Sequence, residues 1–200
     1  MNSMLPVVIV LAAGHGSRFV GSSHKLEQAL GGSTVLGRTL AAALATQMRV
    51  IVVCNPTTAP LARRSVAVRD TVVIPADAAQ GMGRSIAAGV SAAASAPGWL
   101  ILPGDMPLVQ TSSIRAVAAR LSQDPVVFAQ HRGQRGHPVG FSSELYSELI
   151  ALQGDEGARR LLMRFAAQPV VVDDPGVLAD IDTEADLARI RAQQSPSPAA

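Results

Sequence analysis

Aromatic residues are scarce in this chain of 200 residues, where Phe, Trp and Tyr together make up 3%. Because 48% of the residues are hydrophobic, the core must be built from Ala, Val, Leu and Ile, which suits a layered α/β fold. Single-stranded nucleic acids stack their bases on aromatic side chains, so the scarcity argues against that ligand. The formal net charge is only +2 and the basic residues are scattered, so we expect no nucleic-acid partner.

Cysteine is nearly absent too, with Cys54 alone at the end of an apolar run. One cysteine cannot form a disulfide within the chain, which is typical of the cytoplasm, and we expect a buried structural thiol. The apolar run over residues 4–13 is too short to cross a bilayer, and no basic residue precedes it, so we expect no membrane partner and no cleaved signal. We predict one domain over residues 1–194 and a disordered, Pro-rich tail over 195–200.

Short apolar runs alternate along the chain with segments of helical periodicity. Strands are predicted at residues 7–11, 50–53, 72–74, 99–102, 126–129 and 170–172. Helices are predicted near residues 35–46, 59–67, 82–95, 111–122, 142–152, 157–167 and 184–194. This alternation predicts a three-layer α/β fold, a mostly parallel sheet with helices on both faces. Residues 130–138 lack apolar side chains and are predicted to form a binding loop between a strand and a helix.

Lysine occurs once, at Lys25, and every other side chain that is permanently positive at neutral pH is arginine. It closes a glycine-rich stretch, with Gly14, Gly16 and Gly21, that directly follows the first apolar run. A compact ammonium beside a glycine-rich turn is a common arrangement for binding phosphate. The alternative is a strand-to-helix turn that carries a solvated lysine.

Two familiar phosphate-binding templates fail on this stretch. The P-loop spacing is met by Gly16 and Gly21, but Ser22 stands where the lysine should be. The dinucleotide fingerprint fails because Phe19 stands in place of its third glycine. A third pattern, Leu-Ala-Ala-Gly-x-x-x-Arg with a Gly and a Lys a few residues on, is similar to the phosphate-binding loop of nucleotidyltransferases.

Three aspartates are candidate metal ligands. Asp105 follows the apolar run at 99–102, at the end of a strand where open α/β sheets bind ligands, and a carboxylate there suits Mg²⁺ that carries nucleotide phosphates. Asp180 and Asp182 share one face of a predicted short strand, with Ile181 pointing away. The alternatives are an Asx turn at Asp105 and capping of the last helix by Asp182.

Six motifs in order resemble the MobA-like nucleotidyltransferases, and within them the branch of molybdenum-cofactor cytidylyltransferases (MocA-like). They lie at residues 11–25, 80–85, 102–107, 136–139, 154–159 and 180–183. The first motif departs from the family because Val20 adds one residue before Gly21. Gly140 stands where the family usually has a larger apolar residue, and we expect it to open the acceptor pocket. The resemblance implies a Rossmann-like nucleotidyltransferase fold.

The resemblance also implies a Mg²⁺-dependent enzyme that transfers a nucleoside monophosphate from an NTP to the phosphate of molybdopterin and releases pyrophosphate. It implies that the backbone of Gly14, Gly16 and Ser17 cradles phosphate. Arg18 would hold the departing pyrophosphate, and Lys25 would neutralise charge at the α-phosphate.

Further site residues follow from the resemblance in the same way. Mg²⁺ would be held by Asp105, Asp182 and Asp180. The remaining nucleotide contacts would come from Leu11, Ala12, Ala13, Gln80, Gly81 and Ser85. The acceptor would be bound by Gly136, His137 and Pro138, although a lone histidine such as His137 is commonly only a surface residue. CTP is favoured over GTP because residues 12–14 resemble the cytidine-directed branch, whereas guanylyl members tend to carry a second glycine there.

Two other functions stay open. The first is a guanylyltransferase, or an enzyme with another phosphorylated acceptor such as a sugar phosphate. The second is a carrier that delivers molybdenum cofactor to a client molybdoenzyme without turnover. The set of Arg18, Lys25, Asp105 and Asp182 favours an enzyme, because a carrier does not need metal-binding acids.

Overall fold

A seven-stranded sheet forms the centre of the molecule in the computed structural model, which describes residues 5–14, 16, 19, 23–75, 81–154 and 157–194. The strands in chain order are β1 (Val7–Ala12), β2 (Ala29–Leu30), β3 (Ser33–Thr34), β4 (Val50–Cys54), β5 (Thr71–Val73), β6 (Gly98–Pro103), β7 (Val126–His131), β8 (Gln134–Ser142) and β9 (Gln168–Val171). The order across the sheet is β5-β4-β1-β6-β8-β7-β9, and β2 and β3 form a separate hairpin.

Helices cover both faces of this sheet. They are α1 (Val35–Leu44), α2 (Ala59–Ala62), α3 (Met82–Ser91), α4 (Thr111–Arg120), α5 (Tyr146–Ile150), α6 (Gly157–Arg164) and α7 (Glu184–Gln194). Short 3₁₀ helices lie at Lys25–Glu27, Val68–Asp70, Ser143–Leu145 and Pro175–Leu178. No helix in the described part of the chain combines the length and the apolar character needed to cross a membrane.

The alternation of side chains along β1 shows why the sheet needs a layer on each side. Val8 and Val10 belong to the core formed with α1, α2, α4 and α7. Val7 and Ile9 belong to the core formed with α3, α5 and α6. A strand buried on both faces is apolar at every position, because neither face is open to water. The predicted three-layer arrangement is therefore the observed one.

Residues 130–138 do not form the predicted loop. They make up the end of β7, a two-residue turn and the start of β8, which pairs antiparallel with both β7 and β6. The turn residues Arg132 and Gly133 have φ values of 47° and 77°, as a tight hairpin turn of the I′ type requires. The prediction was wrong because the first residues of β8 lie at an exposed end of the hairpin and are polar, without the apolar alternation that marks a strand.

Smaller differences concern the helices and Gly140. The helical segment predicted at 142–152 begins as the end of β8 and a 3₁₀ turn, and α2 is shorter than predicted. Gly140 lies inside β8, where a Cβ would come within 2.7 Å of Val127 Cγ2 and 3.1 Å of Leu100 Cδ2. The space beside Gly140 is therefore filled by core side chains and does not enlarge a ligand pocket.

The parallel strands β1, β4 and β6 end at one edge of the sheet, so the residues that follow them lie close together. Because β8 runs antiparallel to β6, with Val139 opposite Ile101, the first residues of β8 reach the same edge. The segment over 180–182 also comes there, although it is not the predicted strand. Ile181 is fully buried, and its N–H donates to Asp105 O at 3.0 Å.

Candidate active site

A cavity of about 680 Å³ opens at this edge of the sheet. It lies between the loop after β1, the turn after β6, the start of β8 and the 180–182 segment. Eight of the residues predicted from sequence line it: Gly14, Gly16, Lys25, Asp105, Gly136, His137, Asp180 and Asp182. Residues far apart in the chain therefore meet around one space, as a substrate site requires.

The charged centre of the cavity is the Lys25 ammonium. Its Nζ donates to Asp105 Oδ2 at 2.6 Å and to Asp182 Oδ1 at 2.9 Å. Burial by itself lowers the pKa of Lys25, but the charge of Asp105 and the hydrogen bonds to both carboxylates outweigh it, so the net pKa is raised. Lys25 is therefore a cation across the physiological range, held between two acids.

Asp105 has capacity for a further partner. Its Oδ1 is buried and has no hydrogen-bond partner among the residues that the structure describes. A buried carboxylate oxygen without a donor or a cation is costly. The same carboxylate already turns Oδ2 towards one cation, so its free oxygen suits a second positive or donor group in the cavity.

The backbone around Asp105 is fixed by its neighbours. Gly104 N–H donates to Leu11 O at 2.8 Å, and a Cβ at Gly104 would come within 2.9 Å of that oxygen. The buried Thr39 hydroxyl donates to Gly104 O at 3.0 Å. Glycine is needed here because the turn after β6 crosses directly against the end of β1. The bond from Ile181 N–H then places Asp182 beside Asp105.

Side chains that sequence reasoning missed hold the loop after β1. The Thr58 hydroxyl donates to Ala12 O at 2.7 Å, and Asn55 Nδ2 donates to Ala13 O at 3.1 Å. The ring of His24 bonds Gly14 O through Nε2 at 2.9 Å. The one available signal was that Asn55 directly follows β4 at the same edge of the sheet.

The opposite wall of the cavity is the start of β8. His137 is half-buried, and its pKa is lowered by burial, against the opposing effect of a bond with the Ile101 backbone and of the charges of Asp105 and Asp180. His137 Nδ1 is buried and has no partner within the described residues. The Arg135 guanidinium lies 4.6 Å from the centre of the Phe128 ring. This wall therefore presents a neutral imidazole and a cation.

Close packing explains why glycine occupies position 136. A Cβ at this position would lie 2.2 Å from Val177 O and 2.8 Å from Val177 C. The glycine allows β8 to approach the 3₁₀ turn Pro175–Leu178, which forms part of the cavity wall. Gly136 thus shapes the wall through its own backbone contact.

Other predicted residues do not line the cavity within the described part of the chain. They are Leu11, Ala12, Ala13, Gly81, Ser85 and Pro138. Ser85 is buried in the first turn of α3. Gly81 precedes α3 with φ of 93°, and its Cβ would come within 2.3 Å of Gly154 C, so packing alone requires glycine there. Ser17, Arg18 and Gln80 fall outside the described residues.

The three predicted metal ligands do not form a closed metal cluster. In the described ranges, no group of three or more His, Cys, Asp or Glu side chains could hold an ion by itself. Capping of α7 is performed by Thr183, whose hydroxyl accepts from Asp186 N–H at 3.2 Å. Asp182 lines the cavity, where its carboxylate accepts from the Lys25 ammonium.

Comparison with known proteins identifies the family. The model of the MobA-like NTP transferase domain matches residues 8–170. The chain belongs to this family. The resemblance predicted from the six motifs is confirmed, and the chain is a member of a nucleotidyltransferase family.

Individual relatives agree with this assignment. The purine catabolism protein PucB of Bacillus subtilis (strain 168) is 30% identical over 208 residues, which span 98% of this chain and all of PucB. The crystal structure of Rv0371c from Mycobacterium tuberculosis H37Rv superposes with a TM-score of 0.80 at 27% identity, covering 96% of this chain and 100% of that one. A complex of Rv0371c with manganese gives a TM-score of 0.74 at 26% identity, over 94% and 98% of the two chains. The predicted fold class is confirmed.

Proposed function

We propose that the protein, in this cavity, transfers a nucleoside monophosphate from an NTP, preferably CTP, to the phosphate of a molybdopterin-type acceptor. The observation that carries the proposal is the meeting of Lys25, Asp105 and Asp182 beside the glycine loop Gly14–Gly16. Cations and backbone amides in one cavity suit a polyphosphate, and family membership supports an NTP as the donor.

The proposed reaction needs no general base. An oxygen of the acceptor phosphate forms a bond to the α-phosphorus, and the bond between the α-phosphorus and its bridging oxygen to the β-phosphate breaks. Pyrophosphate leaves with that electron pair. A phosphomonoester is mostly ionised at pH 7 because its second pKa is about 6, so no proton must be removed. Catalysis then depends on positioning and on charge neutralisation.

The residues present fit a divalent ion. Asp105 and Asp182 already converge on one cation, the Lys25 ammonium, and Asp105 Oδ1 lacks a partner among the described residues. Mg²⁺ is commonly held by only one or two carboxylates together with substrate phosphates and water. Asp105 and Asp182 would hold it, with Asp180 beside them. When bound, the ion would neutralise charge on the phosphate oxygens. The manganese complex of Rv0371c supports a divalent metal.

Lys25 would change partners when substrate binds. Its ammonium pairs with both carboxylates in this structure. When nucleotide and ion bind, it would exchange these partners for the α-phosphate, which its flexible stem allows. Gly14, Gly16 and Ser17 would cradle the outer phosphates, and Arg18 would hold the departing pyrophosphate.

In this proposal, each of the two walls of the cavity binds one of the two substrates. The loop after β1, with Gly14 and Gly16, and the start of α3, with Met82, would position the nucleotide. Arg135 and His137 on β8 would receive the phosphorylated pterin, since an arginine fork and a half-buried imidazole suit a phosphate and a polar ring. The product would pass to a molybdoenzyme in the cytoplasm.

The test is a panel of the four ribonucleoside triphosphates, each with Mg²⁺ and molybdopterin, read out as pyrophosphate release. We expect the greatest release with CTP. Release with GTP alone would make the protein a guanylyltransferase. Release with a sugar phosphate and not with the pterin would change the acceptor. Tight pterin binding without release from any NTP would show a carrier and overturn the proposal.

A further inference from the structure

The end of β1 has an unusual distribution of hydrogen bonds. Three successive carbonyl oxygens, those of Ala12, Ala13 and Gly14, each accept a hydrogen bond from a side chain elsewhere in the chain. The preceding carbonyl, that of Leu11, accepts from Gly104 N–H at 2.8 Å. Four carbonyls in a row are thus held by other parts of the protein at the entrance to the glycine loop.

Two of the donors form a rigid, buried pair. Asn55 and Thr58 are 4% and 0% exposed. The Thr58 N–H donates to Asn55 Oδ1 at 2.9 Å, and the Asn55 N–H donates to Thr58 Oγ1 at 3.2 Å. Each side chain is therefore oriented by the other's backbone. Since both follow β4, the strand beside β1, the pair faces the β1 loop across the sheet edge.

The direction of the carbonyls determines the direction of the amides. In a planar trans peptide the C=O of one residue and the N–H of the next point in opposite directions. Asn55 holds the Ala13 carbonyl, so the Gly14 N–H points away from Asn55. Thr58 holds the Ala12 carbonyl and sets the Ala13 N–H in the same way. Gly14 lines the cavity, and, its chain neighbours aside, no atom of the described residues comes within 4 Å of the place where its Cβ would lie.

We propose that Asn55 and Thr58 are positioning residues for nucleotide binding. They turn the Ala12 and Ala13 carbonyl oxygens into the protein, so that the loop offers N–H groups to the anionic substrate. Carbonyl oxygens carry partial negative charge, and a loop that binds phosphate must keep them away from it. This inference rests on the proposed function, because it presumes that the anion is the nucleotide.

His24 makes the third contact of the same kind. Its Nδ1 accepts the Leu26 N–H at 3.2 Å, so Nε2 must carry the proton that is donated to Gly14 O. The ring thereby ties the loop to the 3₁₀ turn that carries Lys25. It is more exposed than Asn55 and Thr58, so the buried pair provides the cleaner test.

The test compares Thr58→Val, which keeps the shape of the side chain and removes the hydroxyl, with Thr58→Ser, which keeps the hydroxyl. Steady-state KM values for NTP and for acceptor, and calorimetric binding of inorganic pyrophosphate with Mg²⁺, are measured well below each variant's Tm. We expect Thr58→Val to raise the KM for NTP and weaken pyrophosphate binding by roughly 3- to 10-fold, the effect of one lost hydrogen bond. Thr58→Ser should retain both values, and the KM for acceptor should stay unchanged in each variant.

Asn55→Leu provides a second, independent variant, because an uncharged side chain of similar size cannot donate to Ala13 O. It should weaken pyrophosphate binding as Thr58→Val does, and it decides the matter if Thr58→Val does not fold. A lowered Tm with wild-type KM and pyrophosphate binding in the folded variants would show a purely structural role and overturn the inference. If the wild-type protein releases pyrophosphate from no NTP, the proposed function fails instead, so the two failures are distinguishable.

Discussion

Lys25 and its two carboxylates form one charged group, in which removal of any member takes a partner from a partly buried charge. The side chains of Lys25 and Asp105 are 12% and 17% exposed, and that of Asp182 is 33% exposed. Pairs this enclosed are poorly screened by water, so breaking them has larger effects than breaking a surface pair. Two residue-scale predictions follow from this arrangement.

Asp105→Asn should remove most turnover. The amide keeps the shape of the side chain but loses the charge that holds a divalent ion and faces Lys25. We expect kcat to fall about 100-fold or more, measured as pyrophosphate release, with a folded protein by circular dichroism. The matched control is Asp173→Asn, whose side chain is fully exposed and which should behave as wild type. Activity within a few-fold of wild type for Asp105→Asn would remove Asp105 from the proposed mechanism.

Lys25→Met should bind a divalent ion more tightly in the absence of nucleotide. The Lys25 ammonium and the ion are proposed to share the same carboxylates, so its removal ends the competition. We expect the Mn²⁺ affinity, read from the paramagnetic resonance of free Mn²⁺, to rise at least about tenfold. Turnover should nevertheless be lost, and Lys25→Arg should also lose it because the fork does not match the point charge. Unchanged or weaker Mn²⁺ binding would show that Lys25 and the ion occupy separate places.

At the scale of elements, the cavity depends on how the β7–β8 hairpin and the Pro175–Leu178 turn are held against α4 and β6. The hairpin places Arg135 and His137 beside the end of β6. The turn is anchored by the buried Asp174, which accepts from Gln110 N–H, the Ser113 hydroxyl and Gly176 N–H at 2.7–2.9 Å. Both elements therefore act on the site through their position.

His137→Ala on the hairpin should separate the two substrates. Because the imidazole lies on the proposed acceptor wall, we expect a higher KM for acceptor or a lower kcat, while the KM for CTP stays near its wild-type value. A contact made equally in the ground and transition states changes only KM. Steady-state kinetics with each substrate varied provides the measurement. Weakened CTP binding by calorimetry together with an unchanged acceptor response would assign His137 to the nucleotide.

Asp174→Ala should destabilise the fold by about 3 kcal/mol, because three donors, two of them buried, lose their acceptor. For a chain of this size that corresponds to a fall in Tm of about 6–12 °C, measured by thermal denaturation. Asp173→Ala is the matched control, since the neighbouring side chain is fully exposed, and its Tm should change by less than about 1 °C. Equal Tm values for the two variants would show that the anchor contributes no net stability.

At the scale of the whole molecule, the motifs of the family are distributed over the chain, and residues from five of the six line the one cavity. The described cavity draws its lining from residues 14 to 182. Residues 195–200 fall outside the described part of the chain and contain no apolar residue larger than alanine and proline.

Deletion of residues 195–200 should leave Tm and turnover unchanged, because a Pro- and Ser-rich segment has no large apolar group to bury against the domain. Thermal denaturation and pyrophosphate release of the truncated and full-length chains provide the comparison. A clear fall in either quantity would show that the tail packs against the rest of the protein.

Much of this molecule could be predicted from sequence because its central strands β1, β4 and β6 are buried on both faces. Such strands are continuous apolar runs between helical segments, and each of the six strands predicted from those runs has a counterpart in the sheet. The place of Lys25 and Asp105 in the cavity could also be predicted, since Lys25 closes the glycine-rich stretch after β1 and Asp105 comes just after β6. Burial of Cys54 followed from its apolar run, and burial raises the pKa of its thiol to about 11.

The remainder was decided by tertiary packing. β8 begins with polar residues at an exposed hairpin end and was interpreted as a loop, because only its pairing with β6 and β7 makes it a strand. Lys25 contacts Asp105, which is 80 positions away in the sequence, and Asp182, which is 157 positions away. No local sequence pattern encodes contacts at such separations. Asn55 and Thr58 have no motif of their own, and their bonds to the β1 carbonyls arise because β4 lies beside β1. Sequence periodicity reports which face of an element is buried, whereas the partner that buries it is a property of the folded chain.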